Sequence, residues 1–487
     1  MAKKLLLINP SSEDRLNAAS VGIFFTFPPS GLAYLAALTP SDWDIRIVDD
    51  NIEPITFEDA DLVGITAMTS NVTRAYEISE RYRQKGIKTV MGGVHVSMLP
   101  NEAIQFTDSI VIGEAESVWQ DLLHDFENNE LKRFYKGERI SLDNFVKPRN
   151  DLLSDKYRLK ASVQTSRGCP MDCDFCAVTA FSGRTYRQRP VEEVLDELEA
   201  LNCKEFFFSD DDILGHGKKA EQRAIQMLRG MKERGLNKRW ASQVGIDFGN
   251  NPEVLNWAQK SGCMALFIGF ESINEESLQS MRKARNLNIG IRNYKEVIKK
   301  IHSYGIGVYG QFILGSDGDR KDVFQRTIEF ILDSKIDSAS FTISTPLPGT
   351  RLYKRLSSEG RLLSTNYPED WKLYDYAHTM FRPMHMTPDE LEEGIYQVYQ
   401  HTTSRVTSLK RAFNSFIQTK SLPLTLIFYS LNRGLGSLAT RKYEYVKNTR
   451  SSEIKDSHLS YPPPDGESCE SGFIEGGQEL PTPSAKI

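Results

Sequence analysis

Short apolar runs alternate with amphipathic stretches along this chain, and the alternation falls into two blocks. In the first, residues 4–8, 45–48, 61–66, 89–92 and 109–112 are brief runs rich in Leu, Ile and Val. Runs of that length and composition predict buried strands. Residues 31–38, 72–85 and 116–126 place apolar side chains at helical spacing between them. This alternation predicts a doubly wound parallel sheet over residues 1–130, a Rossmann-like α/β domain. Ligands of such sheets sit at the carboxyl ends of the strands. Polar and glycine residues fall at those ends: Asn9, then Asp49 and Asn51, then Thr66 and Thr69, then Gly92, Gly93 and His95, then Gly113 and Glu114. Glycine there lets a bulky ligand approach the backbone.

A polar, charged stretch over residues 131–155 reads as a linker. The second block, residues 156–350, offers strands at 162–165, 205–209, 240–244, 266–270, 307–313 and 338–343. Helices are expected at 191–201, 219–234, 252–261, 291–304 and 322–334. Six such repeats predict an open, partial (β/α)6 barrel of TIM type, and barrel chemistry also sits at strand carboxyl ends. The first strand runs into Cys169-Pro-Met-Asp-Cys173-Asp-Phe-Cys176. The second ends in Ser209-Asp-Asp-Asp212, whose carboxylates either face a ligand or cap the next helix. Gln243 and Asp247 follow the third strand, Glu271 ends the fourth and Gly310 lies in the fifth. Arg187 and Arg189 read equally as carboxylate partners or as part of a solvated turn.

Residues 351–450 read as a mostly helical region that caps the barrel mouth, with Trp371, Tyr374, His378 and His385 among its aromatics and histidines. Residues 401–450 hold nine Lys or Arg and one acid, Glu444. Such a stretch either touches an anionic membrane surface or forms a packed helix with a solvated face, and the second is commoner. Residues 451–487 turn to Ser, Pro, Gly and Glu and read as a disordered tail. The net charge of −5 gives no reason to expect nucleic acid as a partner. Cys203, Cys263 and Cys469 show no paired spacing, which suits a reducing cytoplasm rather than a disulfide framework. The apolar run from Leu5 to Ile8 is too short for a signal peptide, and no run approaches the ~20 residues of a membrane span.

Thiolates are soft ligands that select iron–sulfur clusters, zinc or Cu(I). A structural zinc site asks for four protein ligands, and the C-x3-C-x2-C spacing offers three. A cubane cluster on three cysteines keeps one iron open to a substrate. A zinc knuckle completed by a distant Cys203 or His216 is the alternative. The motif, with Phe175 before its last cysteine, resembles that of the radical S-adenosylmethionine (SAM) superfamily. The resemblance implies a [4Fe–4S] cluster on Cys169, Cys173 and Cys176, with SAM chelated at the open iron. It also implies SAM contacts from Phe175, Asp210, Asp211, Gln243, Glu271 and Gly310. In that family the acids after the second strand hold the amino group. Glu271 would then meet the ribose or methionine part, and Gly310 would lie near adenine.

Phe27-Pro-Pro-Ser-Gly-Leu32, Val48-Asp-Asp-Asn51, Gly92-Gly-Val-His-Val-Ser97 and Val111-Ile-Gly-Glu-Ala-Glu116 resemble, in order, the loops of the cobalamin-binding domain that precedes many radical SAM domains. The resemblance implies cobalamin at Asn9, Asp49, Asn51, Thr66, Thr69, Gly92, Gly93, His95, Gly113 and Glu114. One departure matters. Mutase domains carry Asp-x-His-x-x-Gly, and Asp49-Asp-Asn51-Ile-Glu53 has no histidine to ligate cobalt. His95 reads as a hydrogen-bonding residue near the nucleotide tail. The implied activity is radical cleavage of SAM and methylation of an unactivated carbon in a small-molecule or lipid-like substrate, fed by a reducing electron donor. Ring-forming chemistry, as in anaerobic magnesium-protoporphyrin ester cyclase relatives, is the alternative within the family. A cobalamin or redox sensor is the alternative outside enzymes. The sequence assigns no catalytic side chain beyond the cofactor contacts.

Overall fold

The computed structural model describes residues 2–12, 27–157 and 159–453; of the expected tail 451–487, residues 451–453 end the last helix, and the rest, with Cys469, lies outside the described residues. Strand β1 (Lys3–Asn9) pairs in parallel with β2 (Trp43–Asp49) and with β3 (Leu62–Thr66). Strands β4 (Lys88–Gly92), β5 (Ser109–Gly113) and β6 (Phe134–Gly137) complete a parallel sheet of order β2-β1-β3-β4-β5-β6. The order reverses between β1 and β3, which opens a crevice at their carboxyl ends. Helices α1 (Ser30–Leu38), α2 (Val72–Gln84), α3 (Val94–Met98) and α4 (Trp119–Glu127) cover both faces. Leu32, Ala36 and Trp119 pack one face, and Val72, Ile78 and Val96 the other. A strand covered on both sides is apolar throughout, as Leu5 to Ile8 are.

β6 falls in the stretch expected as a linker. It is short, and its Phe134 and Lys136 are exposed, so it leaves no apolar run to read. Gly93 has φ +104°, and a Cβ there would lie 2.6 Å from the Ala67 carbonyl oxygen. Glycine therefore lets α3 start against the end of β3. Gly113 has φ +86°, and a Cβ there would lie 2.5 Å from the Gly137 carbonyl oxygen. Both glycines serve the protein's own backbone rather than an open ligand cradle.

The second sheet uses β7 (Ser162–Val163), β10 (Glu205–Phe208), β11 (Arg239–Val244), β12 (Cys263–Glu271), β13 (Gly307–Leu314) and β14 (Ser338–Ile343), in the order β14-β13-β12-β11-β10-β7. All its pairings are parallel, and β7 and β14 are its two edges, so the expected (β/α)6 barrel stays open. A separate ribbon pairs β8 (Ser166–Arg167) with β9 (Arg187–Gln188). Helix α5 (Ala177–Ser182) lies inside the loop that this ribbon closes. Helices α6 (Val191–Ala200), α7 (Lys218–Glu233), α8 (Pro252–Lys260), α9 (Tyr294–Ser303) and α10 (Val323–Ser334) alternate with the strands. α8 starts where it does because Pro252 sits in its first turn and Asn251 accepts from the Glu253 and Val254 N–H groups.

Four helices follow: α11 (Arg351–Ser358), α12 (Pro388–Thr403), α13 (Arg405–Thr419) and α14 (Leu422–Glu453). Leu424 and Phe428 of α14 pack on Phe207, Ala241 and Ala265, which plugs the barrel from its amino end. The segment between α11 and α12 crosses to the first sheet. There Trp371 stacks on Tyr367 at 3.7 Å, meets His95 edge-on at 5.3 Å and donates Nε1–H to Glu102 at 2.9 Å. Arg167 and Arg187 reach Glu114 and Glu116 from the other side, so two sets of contacts join the domains.

Candidate active site

The cysteine loop is fixed at its base and along its length. Asp210 is buried, and its carboxylate accepts from the Thr165 N–H at 2.7 Å, the Thr165 hydroxyl at 2.8 Å and the Ser166 N–H at 2.6 Å. Asp211 accepts from the Gly168 N–H at 2.9 Å. Further along, the Asp174 N–H donates to the Met281 carbonyl at 3.1 Å, and Arg351 pairs with Asp172 and Asp174, each at 2.8 Å. So held, Cys169, Cys173 and Cys176 all line one cavity of about 630 Å³ at the carboxyl ends of the barrel strands. Burial pushes the Cys169 thiol up to about 12 and raises Cys173 as well, so ligation there must displace protons.

The cavity wall carries two buried ion pairs. Lys283 meets Glu271 at 2.5 Å, with its ammonium 5.7 Å from the Phe175 ring centroid. Burial would lower the Lys283 ammonium; the charge and hydrogen bond of Glu271, together with the nearby Cys173 and Cys176, outweigh it and hold the group above its usual value. Arg285 meets Asp212 at 2.6 Å and Asp247 at 3.3 Å. Glu271 has φ +59° where the β12–β13 register shifts. A non-glycine residue held there stores strain on the order of 1–3 kcal/mol.

Of the residues expected around SAM, the three cysteines, Phe175, Asp211, Gln243 and Glu271 share this cavity. Asp210 does not line it: Thr165 and Ser166 occupy its carboxylate, so it braces the loop. Gly310 faces the other side of the sheet, where a Cβ would meet Phe312, Ile336 and Phe270. Its neighbour Gln311 is the β13 residue in the cavity wall. Sequence reasoning missed Lys283 and Arg285. The basic run Arg282-Lys283-Ala-Arg285, just past the fourth strand, was the available signal. Arg189 is buried against Glu197 at 2.6 Å, and Arg187 joins the domain-bridging ion pairs.

Among the described residues no three His, Cys, Asp or Glu side chains converge on a single ion. Cys203 offers its carbonyl to Lys238 at the amino end of the barrel, away from the cysteine loop. His216, the other expected fourth ligand, lines the same cavity as the three cysteines, but among the described residues it forms no group with them that could hold a single ion. A cubane cluster asks instead for thiols spread over three iron corners around one space, and this donor set fits it.

At the carboxyl ends of β1 and β2, beside the crevice, Asp49 accepts from Asn9 at 3.0 Å, from Asn51 at 2.6 Å and from the Tyr157 hydroxyl at 2.5 Å. Asn9, Asn51 and Thr66 are half-buried there and Met68 is exposed, so a polar, accessible edge stands where cobalamin domains bind their ligand. Other residues expected to touch cobalamin are engaged elsewhere. His95 is fully buried, with Nδ1 3.2 Å from the Thr69 hydroxyl and Nε2 3.3 Å from Glu102. Glu114 is taken by Arg167 and Arg187. Gly92 would tolerate a Cβ, which would meet Val111 at 3.8 Å. The crevice fits cobalamin held without an imidazole on cobalt. Electron paramagnetic resonance of the protein loaded with cob(II)alamin should show no axial nitrogen splitting. A nitrogen signal that His95→Ala removes would contradict this.

A second chamber of about 290 Å³ lies beside the first, between the inner face of β13–β14 and helices α12 and α14. Tyr309, Tyr376, Tyr396 and Tyr399 line it. Tyr309 stacks on Phe267 at 4.5 Å, and Phe267 is in the cysteine-cavity wall. Gln311 and Tyr309, two apart on β13, face the two spaces. Asp375, Glu392 and Lys442 are charged groups in its wall. Asp375 Oδ1 accepts from the Ala377 and His378 N–H groups at 2.9 and 3.0 Å, while Asp375 Oδ2 is buried without a hydrogen-bond partner. Burial would raise the Asp375 carboxyl, but His378 and the Lys442 ammonium together outweigh it and keep it below the usual carboxylate range.

Residues 163–331 match the radical SAM superfamily and residues 18–123 match the B12 binding domain. The chain is 31% identical over 424 residues to bacteriochlorophyllide d C-12(1)-methyltransferase of Chlorobaculum tepidum, covering 84% of this chain and 89% of that one. It is 24% identical over 422 residues to the anaerobic magnesium-protoporphyrin IX monomethyl ester cyclase of Cereibacter sphaeroides, covering 77% and 67%. The solved structure of the cobalamin-dependent SAM radical enzyme OxsB with aqua-cobalamin bound shares its fold, with a TM-score of 0.64 at 14% identity over 94% of this chain and 82% of that one. Fold, cavity and likeness together define a SAM-cleaving enzyme with a corrinoid domain. The chain belongs to the radical SAM enzymes that carry a cobalamin-binding domain, and its cofactors are a [4Fe–4S] cluster, SAM and cobalamin. Among the described residues no helix is long and apolar enough to cross a membrane.

Proposed function

We propose that the protein methylates an unactivated carbon of a small molecule that presents an apolar ring. The observation that carries this reading is the tyrosine-lined chamber beside the three-cysteine cavity, in a chain that is 31% identical to a C-methyltransferase. When bound, the cluster supplies the electron that cleaves SAM to a 5′-deoxyadenosyl radical, and cobalamin relays a methyl group. Cys169, Cys173 and Cys176 hold the cluster. Phe175, Asp211, Gln243, Glu271 and, in place of Gly310, Gln311 orient SAM, with Lys283 and Arg285 setting the charge of the pocket. Asn9, Asn51 and Thr66 edge the cobalamin crevice. Tyr309, Tyr376 and Tyr399 offer ring faces and exclude water from the acceptor, and Asp375 Oδ2 accepts from a donor group on it. Positioning of acceptor and SAM in adjoining spaces is the protein's own contribution to the rate. A low-potential electron donor is the implied partner, and the free cysteines among the described residues suit a reducing, cytoplasmic setting.

Product stoichiometry tests the reading. Anaerobic turnover of the true acceptor should give S-adenosylhomocysteine and 5′-deoxyadenosine in about equal amounts, because one SAM donates methyl and another is cleaved. A ring-forming cyclase would give 5′-deoxyadenosine without matching S-adenosylhomocysteine.

A further inference from the structure

Helix α13 is amphipathic in the reverse sense for a surface helix. Its buried face is Ser408, Arg411, Ala412, Ser415 and Thr419, and the Arg411 guanidinium is spent on the Ile336 and Thr402 carbonyls. Its exposed face is Val406, Leu409, Phe413, Phe416 and Ile417, each between 46% and 66% exposed. Spacings of three and four residues put these five on one stripe. Leu422 and Leu426, in the first turns of α14, extend it at 59% and 56% exposed. Among the described residues, seven of the thirteen exposed large hydrophobics fall within residues 406–426, so this is a patch and not scatter. Arg405, Lys410 and Lys420 are exposed on the same helix and its turn. Lys299, Lys300 and Lys335 are exposed on adjoining segments. The nearby acids are Glu296 and Asp333, and Lys295 holds Asp333 at 3.4 Å.

We propose that this stripe docks on an anionic lipid bilayer. The seven apolar side chains enter the headgroup–acyl boundary, and Arg405, Lys410 and Lys420 meet lipid phosphates. The charge selects this occupant: a second copy packed face to face would set the same basic side chains against each other. The stripe lies below the amino ends of β13 and β14, since Arg411 bonds the Ile336 carbonyl just before β14. Docking therefore leaves the cysteine cavity, at the opposite ends of the strands, open. This inference stands on surface geometry and does not depend on the reaction proposed above.

Vesicle flotation of the full chain tests it. Binding to vesicles of phosphatidylcholine with about 30% phosphatidylglycerol should exceed binding to phosphatidylcholine alone by roughly tenfold or more, and should weaken at high salt. Leu409→Ser/Phe413→Ser should lose binding to both vesicles, while Lys410→Glu/Lys420→Glu should lose the preference for the anionic one. Both pairs are exposed, so circular dichroism should be unchanged. Three results would overturn the proposal: no binding of the full chain to anionic vesicles; binding that appears only after residues 454–487 are removed, which would assign the face to the tail; or a dimer in solution that Phe413→Ser dissolves.

Discussion

Alanine at Cys173 should leave a folded protein with almost no cluster. Cys173 is buried in the wall of the shared cavity, on a loop held by Asp211, Arg351 and the Met281 carbonyl rather than by its thiol. Removing the thiol therefore takes away one of three iron ligands and leaves the brace intact. With two thiols left, the cubane loses a corner, and SAM cleavage should fall by ~10³-fold or more. Cys169→Ala and Cys176→Ala should behave alike. Cys203→Ala should not, because Cys203 lies at the amino end of the barrel, where Lys238 holds its carbonyl at 2.9 Å. Iron and sulfide content after anaerobic reconstitution is the measurement. Full cluster content in Cys173→Ala would reject the assignment.

The second large effect is expected at Glu271. Its carboxylate meets Lys283 at 2.5 Å, and the two side chains are 10% and 16% exposed. Glu271→Ala leaves an uncompensated ammonium beside the cluster thiols and removes an acceptor for SAM. Breaking such a pair costs about 3–5 kcal/mol, which corresponds to roughly 10²- to 4 × 10³-fold in SAM affinity if it falls on binding. Glu271→Ala/Lys283→Met removes both charges and should recover much of the lost stability while SAM affinity stays low. The single and double variants separate the charge imbalance from the ligand contact. Equilibrium dialysis with reconstituted protein reads the affinity, and thermal melting reads the fold. Wild-type SAM affinity in Glu271→Ala would remove this residue from the site.

The parts of the fold and site that are local in sequence were legible. The two strand–helix blocks, the open barrel and the cysteine loop all follow from runs and spacings within a few residues of each other. Neighbouring carboxylates were harder, because backbone direction decides where each points. Asp210 turns back to Thr165, Asp211 to Gly168 and Asp212 to Arg285, so three adjacent acids have three partners. Glycines were ambiguous for a related reason. Gly93 and Gly113 have positive φ and sit against backbone, which sequence cannot distinguish from space left for a ligand. Long-range packing left no trace at all: Trp371 reaches His95 and Glu102 across the chain. The α13 stripe was readable at spacings of three and four, but the basic stretch left a membrane surface and a solvated helix face both open, and the commoner solvated face does not prepare for the apolar side chains exposed there.

This chain moves a methyl group from SAM to carbon. Turnover of its acceptor with SAM bearing a deuterated methyl group, followed by mass spectrometry of the product, tests it most directly. The product should carry the labelled methyl group intact, with one S-adenosylhomocysteine formed for each label transferred. Converted acceptor with 5′-deoxyadenosine released and no label in the product would contradict the account.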